Sequence, residues 1–336
     1  MLTPGEETPG EQQMRRRRFM QLAGGAGAAT LFAPAVLRAQ AAWPDKTVRI
    51  IVPFAAGGAT DLVARPWAEW LSKAFNQQFV IENRGGASGI IGAEAAAKAA
   101  PDGYTFFFSS NTATVTLPLI RKLPYDAKSF QAVARMGDSI SGFVMHPSVG
   151  VKTMPEMLDY ARKNPGKLAF GSSGAGTLPH LRYEMLKLKT GVDILHVPYR
   201  GGADTLNDLL AGNIQLMNEA SSMPHAKAGK IHLLNINHFE RFVDFPDTPT
   251  LTELGIKDAD VPAWFSLYAP GGTPRPIIEK LNAKAVELAR TPEVKERLRT
   301  VAAASVAQTL GEMQAFWDED SKRMAELVKA ANIKFE

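Results

Sequence analysis

The sequence predicts an α/β fold of two sheets rich in parallel strands, joined by two crossings that enclose a cleft. Three observations lead there. Thr47 to Asp61, TVRIIVPFAAGGATD, runs from a β-branched, nearly continuous apolar strand through a glycine turn into a helix. Two more strand-to-helix units follow by Phe108, and such a series builds a parallel sheet with right-handed crossovers. After Phe143 the pattern restarts around a second glycine loop, Gly171 to Thr177, followed by another strand, turn and helix.

In the first stretch Val48, Ile50, Ile51 and Val52 form the strand and Pro53 ends it. Gly57 and Gly58 permit the tight turn, and Thr60 or Asp61 is expected to cap the helix. Leu62, Val63, Trp67, Trp70, Leu71, Ala74 and Phe75 make its apolar face. Phe79 to Glu82 is a second strand, Ile90 to Ala100 an alanine-rich helix, and Tyr104 to Phe108 a third strand opening into the polar loop Ser109 to Thr112. The second set comprises strands at Phe143 to Met145, Lys167 to Phe170, Asp193 to Val197, Ile214 to Met217 and Ile231 to Ile236. Its helices are Met154 to Lys163, one beginning near Leu178, and one through Leu206, Leu209 and Leu210 that stops at Gly212. A proline-punctuated crossing from Phe245 to Pro262 leads to a strand at Trp264 to Ala269. Helices at Ile277 to Ala289 and Glu312 to Ala331 are expected to pack on the first sheet.

Ligands of such sheets sit beyond the carboxyl ends of the strands. That places Phe54, Ala56, Gly57, Gly58, Thr60, Asp61, Ser110 and Asn111 on one wall and Ser172, Ser173, Gly174, Thr177 and His180 on the other. Two glycine loops at helix N-termini can hold a carboxylate by backbone N–H groups, hydroxyls and bridging water. Tyr199 and Arg200 follow a strand and are expected at the rim, where Arg200 could pair with a second carboxylate; Asn218 and Glu219 would read the ligand's far end. Trp264 reads as core.

Other chemistries fit less well. The nucleophile elbow fails around Ser173, where Ala175 replaces the last glycine, although His180 and Asp204 could be imagined as triad partners. The dinucleotide fingerprint fails at both loops. The histidines show no metal-ligand spacing, so neither metal nor cofactor is expected. A secreted serine hydrolase and a ligand sensor remain as alternatives to a binding protein without catalysis.

The first 41 residues read as a leader. Arg15 to Phe19, then Met20 and Gln21, give a twin-arginine pattern; an apolar stretch from Leu22 to Leu37 and the small residues Ala39 and Ala41 follow. That stretch is short and holds Pro34, so it makes a poor membrane span. The net charge is +4, and the leader carries five arginines against three glutamates, so little basic character remains for nucleic acid or an anionic membrane. There are no cysteines, hence no disulfides.

From Trp43 onward the chain resembles the substrate-binding proteins of the tripartite tricarboxylate transporter family, the Bug type of periplasmic receptor. The resemblance rests on WPDKTVRIIVPFAAGGATD (Trp43 to Asp61), VIENRGGASGIIGA (Val80 to Ala93), APDGYTF (Ala100 to Phe106), GSSGAGTLPHL (Gly171 to Leu181), VPYRGG (Val197 to Gly202), DLLAGNI (Asp208 to Ile214) and APGGTP (Ala269 to Pro274). It implies a two-domain periplasmic binding protein fold of type II character, with residues 42–142 plus 239–336 in one domain and 143–238 in the other. It further implies hinge closure on a small organic carboxylate, dicarboxylates included, by a monomeric periplasmic receptor serving a permease of a large and a small subunit. Departures from the family pattern fall at Asn218 to Ser221 and at Asn237 and His238.

Overall fold

The computed structural model describes residues 43–257 and 259–330; the leader and Ala331, the expected last residue of the final helix, lie outside them. Both sheets lie within one unit that begins at Lys46. The first has six strands: β1 (Val48–Val52), β2 (Phe79–Asn83), β3 (Thr105–Ser110), β4 (Phe130–Ser139), β10 (Ala263–Pro270) and β11 (Ala303–Ala304). Their order is β11-β4-β10-β3-β1-β2. The second sheet, ordered β7-β6-β8-β5-β9, holds β5 (Val144–Met145), β6 (Ala169–Ser172), β7 (Leu195–Pro198), β8 (Leu216–Met217) and β9 (His232–Leu233).

Both sheets are mixed. β1 pairs parallel with β2 and β3, whereas β10, returning from the second sheet, enters antiparallel between β3 and β4. In the second sheet β6 pairs parallel with β7 and β8, and β5 runs antiparallel to β8 and β9. β4 has no counterpart in the sequence reading, although buried Phe130, Ala132, Ala134 and Met136 alternate as one face of a strand should.

The helices follow the expected order: α1 (Ala59–Phe75), α2 (Ile90–Ala97), α3 (Leu117–Ile120), α4 (Met154–Lys163), α5 (Leu178–Thr190), α6 (Gly202–Leu210), α7 (Met223–Lys227), α8 (Arg275–Ala289), α9 (Pro292–Arg299) and α10 (Leu310–Ala330). α8 and α10 pack on β4, as the amphipathic patterns required. α3, α7 and α9, all short, escaped the periodicity argument.

Each sheet has its own apolar core. Phe107 stacks on Phe130 with ring centroids 5.0 Å apart in the first, and Phe170 stacks on Tyr183 at 4.8 Å in the second. α5 serves both: Leu178, Leu181 and Met185 belong to the first core, Tyr183 and Leu186 to the second. A helix flanked by apolar surface on two sides leaves almost no water-exposed face in its first three turns. Any charge placed there is therefore buried.

Candidate ligand cleft

A cleft of about 490 Å³, counted to its open mouth, lies where the carboxyl ends of strands from both sheets meet. Of the residues expected there, Phe54, Gly58, Thr60, Ser110, Ser173 and Asn218 line it.

The first wall begins where β1 ends. Gly57 has φ +81°, a left-handed conformation that favours glycine, and Gly58 is the N-cap of α1. This corrects the expected cap: Thr60 and Asp61 lie inside the first turn. Asp61 instead reaches back. Its Oδ2 accepts from Gly57 N–H (2.9 Å) and Arg65 Nε (2.7 Å), and its Oδ1 from Asn83 Nδ2 (2.9 Å). Asp61 is thus buried behind the loop and fixes it, while Gly58, Ala59 and Thr60 form the lining. N–H groups of a first helical turn have no acceptor within the helix, so those of Ala59 and Thr60 are available to the cleft. Next to them, β3 runs to Ser110, two residues beyond the expected end, and a π-helical turn at Thr112–Thr116 replaces the expected loop. Ser110 and Thr112 line the cleft, whereas Asn111 is buried beside Asp320.

The second glycine loop is largely bonded to itself. Thr177 Oγ1 donates to the Gly174 carbonyl (2.7 Å), Gly176 N–H donates to His180 Nδ1 (3.0 Å), and Gly174 N–H to Ser172 Oγ (3.3 Å). The His180 ring stacks on His196 at 3.7 Å and its Nε2 lies 3.4 Å from Glu184. Ser172, Gly174, Thr177 and His180 therefore shape the loop from outside the lining, and Ser173 is the loop residue that reaches it. His196 Nε2 lies 2.7 Å from Ser172 Oγ, but Ser172 is fully buried away from the cleft, so this serine–histidine pair meets no substrate space.

A different turn, the one after β7, also comes up against the first loop. A Cβ on Gly201 would lie 3.4 Å from the Ala55 Cβ, and one on Gly58 would lie 3.8 Å from Gly202 N. The N-termini of α1 and α6 therefore abut, and the N-terminus of α5 opens on the same cleft through Leu178 and Pro179. Leu178 N–H donates to Thr112 Oγ1 (3.3 Å), which ties α5 to the first wall. Tyr199 turns back to donate to Asp208 (2.6 Å), and Arg200 is exposed; neither, nor Ala56 or Gly57, is part of the lining. Trp264 is core, its Nε1 donating to Asp320 (2.8 Å).

Two charged groups complete the site. Glu219 is buried beside the second loop, where its Oε1 accepts from Ser173 N–H (3.0 Å) and its Oε2 packs so closely on Gly202 that a Cβ there would lie 2.0 Å away. Burial pushes its carboxyl up to about 7, against the opposing pull of Ser173 and Arg182. Arg182, two residues past His180 on α5, was missed by the sequence reading, which looked for arginines only in turns. Its guanidinium is buried and donates from Nε to the Val261 carbonyl (2.7 Å) and from Nη1 to Ser141 Oγ (2.8 Å) and Asn218 Oδ1 (3.1 Å). Burial lowers it to about 9, with Glu219 and Asp260 pulling the other way, so it stays cationic at neutral pH. The signal was present: Arg182 stands four residues after Leu178 and three before Met185, on the apolar stripe itself.

Residues 63–333 match the tripartite tricarboxylate transporter family receptor. The protein BugT of Bordetella pertussis (strain Tohama I) is 32% identical over 297 residues, 87% of this chain and 91% of that protein. Among solved structures, the periplasmic binding protein BugD aligns with a TM-score of 0.83 at 31% identity, covering 88% of this chain and 100% of its own. Rpa4515 of R. palustris, solved with adipate, gives 0.83 at 33% identity over 87% and 99%. MatC (Rpa3494) of Rhodopseudomonas palustris, solved with bound malate, gives 0.80 at 29% over 85% and 100%. The fold is thus shared with periplasmic solute-binding proteins, and the chain belongs to the tripartite tricarboxylate transporter receptor family.

Proposed function

We propose that the protein captures a small organic carboxylate in this cleft and delivers it to a tripartite transporter. One observation carries the reading: the positive ends of α1 and α6 abut, with that of α5 beside them. Each helix N-terminus carries about half a positive charge and unpaired N–H donors. Bringing such ends together is unfavourable unless an anion sits between them, and an anion there is attracted by all three. The adipate and malate held by two relatives are anions of this kind. The carboxylate would be gripped by Gly58, Ala59 and Thr60 on one side and by Gly202 on the other.

In this reading the chain forms two lobes, residues 42–142 plus 239–336 and residues 143–238, which close by a hinge at the crossings; the separate apolar core of each sheet supports it. Contacts such as Ser88 Oγ to the Ala175 carbonyl (2.7 Å) form across the cleft and favour the closed form. The leader would export the folded chain through the twin-arginine route to the periplasm, where it acts as a monomer and docks on the large and small permease subunits.

Thermal unfolding of the mature protein against aliphatic and aromatic mono- and dicarboxylates tests the reading. A ligand at 100 times its Kd should add about 2.7 kcal/mol of stability; no shift with any of them would sink it. Uptake of the labelled ligand by cells lacking and regaining this chain separates transport from sensing.

A further inference from the structure

Within the cleft, two buried donors have no acceptor in the protein. Arg182 Nη2 and Asn218 Nδ2 are both sealed from bulk water and unbonded, and both residues line the cleft. Their exposures are 2% and 0%. Leaving buried N–H groups unmet is unfavourable, and more so for a charged group, so such pairs in native proteins have a reason.

The surroundings hold these donors in place. Phe143 N–H donates to Asn235 Oδ1 (3.0 Å), Asn235 Nδ2 to Asn237 Oδ1 (2.8 Å), and Asn237 Nδ2 to Asn218 Oδ1 (2.6 Å). Arg182 Nη1 donates to the same Asn218 oxygen. Two donors on Oδ1 fix the orientation of the Asn218 amide, so its Nδ2 faces away from them. The guanidinium is clamped by Val261 and Ser141, which leaves Nη2 as its one uncommitted nitrogen. Among the described residues Arg182 makes no ion pair, and Glu219 spends Oε1 on Ser173. An uncommitted arginine nitrogen and an uncommitted amide nitrogen on the lining of one cleft suit an acceptor with two oxygens and negative charge.

We infer that Arg182 and Asn218 form the seat of a second carboxylate at the far end of the ligand, making the cleft selective for dicarboxylates. This rests on carboxylate capture at the helix N-termini and assigns the other end of the same molecule. It moves the second-carboxylate role from exposed Arg200 to a buried arginine whose position is set before the ligand arrives. A pre-organised donor pair loses little freedom on binding, which is what makes it discriminate.

Calorimetric titration of the mature protein with succinate, glutarate and adipate, each against butyrate, pentanoate and hexanoate of equal chain length, is the test. At the preferred length the diacid should bind at least about tenfold more tightly than its monoacid, or roughly 1.4 kcal/mol. Asn218→Asp keeps the Oδ1 acceptor but exchanges the Nδ2 donor for an oxygen, and Arg182→Lys removes the free Nη2. Each should erase the preference of diacid over monoacid. Should Arg182→Lys fail to fold, the wild-type comparison and Asn218→Asp decide. Equal binding of diacid and monoacid by the wild type, or a preference that survives in a folded variant, overturns this seat and leaves carboxylate capture standing. Failure of every acid to bind overturns both.

Discussion

Glu219→Gln isolates the buried carboxylate at the cleft. With its carboxyl raised to about 7 in the folded protein from 4.5 when unfolded, Glu219 has a signed effect on stability. Below pH 4.5 both states hold the proton and the residue carries no electrostatic penalty. Between 4.5 and 7 the unfolded chain releases its proton first, so stability falls as pH rises, by up to about 1.4 kcal/mol per unit. Above pH 7 the loss is complete, of the order of 3 kcal/mol. Glutamine has the same shape, keeps an oxygen for Ser173 N–H and has no proton to lose. It also removes a negative charge near Arg182, which offsets part of the gain. The variant should therefore be more stable than the wild type at pH 8 by about 1–3 kcal/mol and nearly equal to it at pH 5. Urea unfolding at pH 5, 6, 7 and 8 reads this directly, since a shift in midpoint at constant slope is a change in stability. Parallel curves for the two proteins, or a variant less stable at pH 8, would refute the burial argument.

Two further perturbations separate loop from fold. His196 is pushed down to about 4 by burial and by its stacking partner His180, so the wild type should lose stability as pH falls from 6.5 towards 4; His196→Gln should flatten that limb in the same urea series, and an unchanged limb would place the acid sensitivity elsewhere. At Gly58, φ is −74° and an added Cβ meets atoms no closer than 3.4 Å, so Gly58→Ala should fold and bind. Gly58→Val adds methyl groups against the Gly202 and Ala203 backbone and should keep its Tm within a few degrees while weakening ligand at least about tenfold. Unchanged affinity in the valine variant would show that α1 and α6 need not approach.

The framework was legible because it depends on local signals. β-branched runs ending in Pro53 or a glycine turn, and the apolar stripes of α1, α8 and α10, are properties of a few consecutive residues. Which loop atoms face the ligand is not local. His180, Thr177 and Ser172 have the chemistry to bind a carboxylate, yet their hydrogen bonds close the second loop on itself, and Asp61 is spent holding Gly57. Arg182 was hidden for the opposite reason. Its surroundings come from residues as far away as Ser141, Asn218 and Val261, so the burial that gives it meaning exists only once both cores have closed around α5. Asn218 and Asn237 were noticed as departures from the family pattern, but their linkage through a 2.6 Å hydrogen bond needed the fold.

A crystal structure of the mature protein with its tightest-binding carboxylate is the most direct test. The account predicts a ligand oxygen within hydrogen-bond reach of the Ala59 and Thr60 N–H groups, between the N-termini of α1 and α6. A ligand seated instead in the outer groove between Pro118 and Trp317, with those N-termini bare, would contradict it.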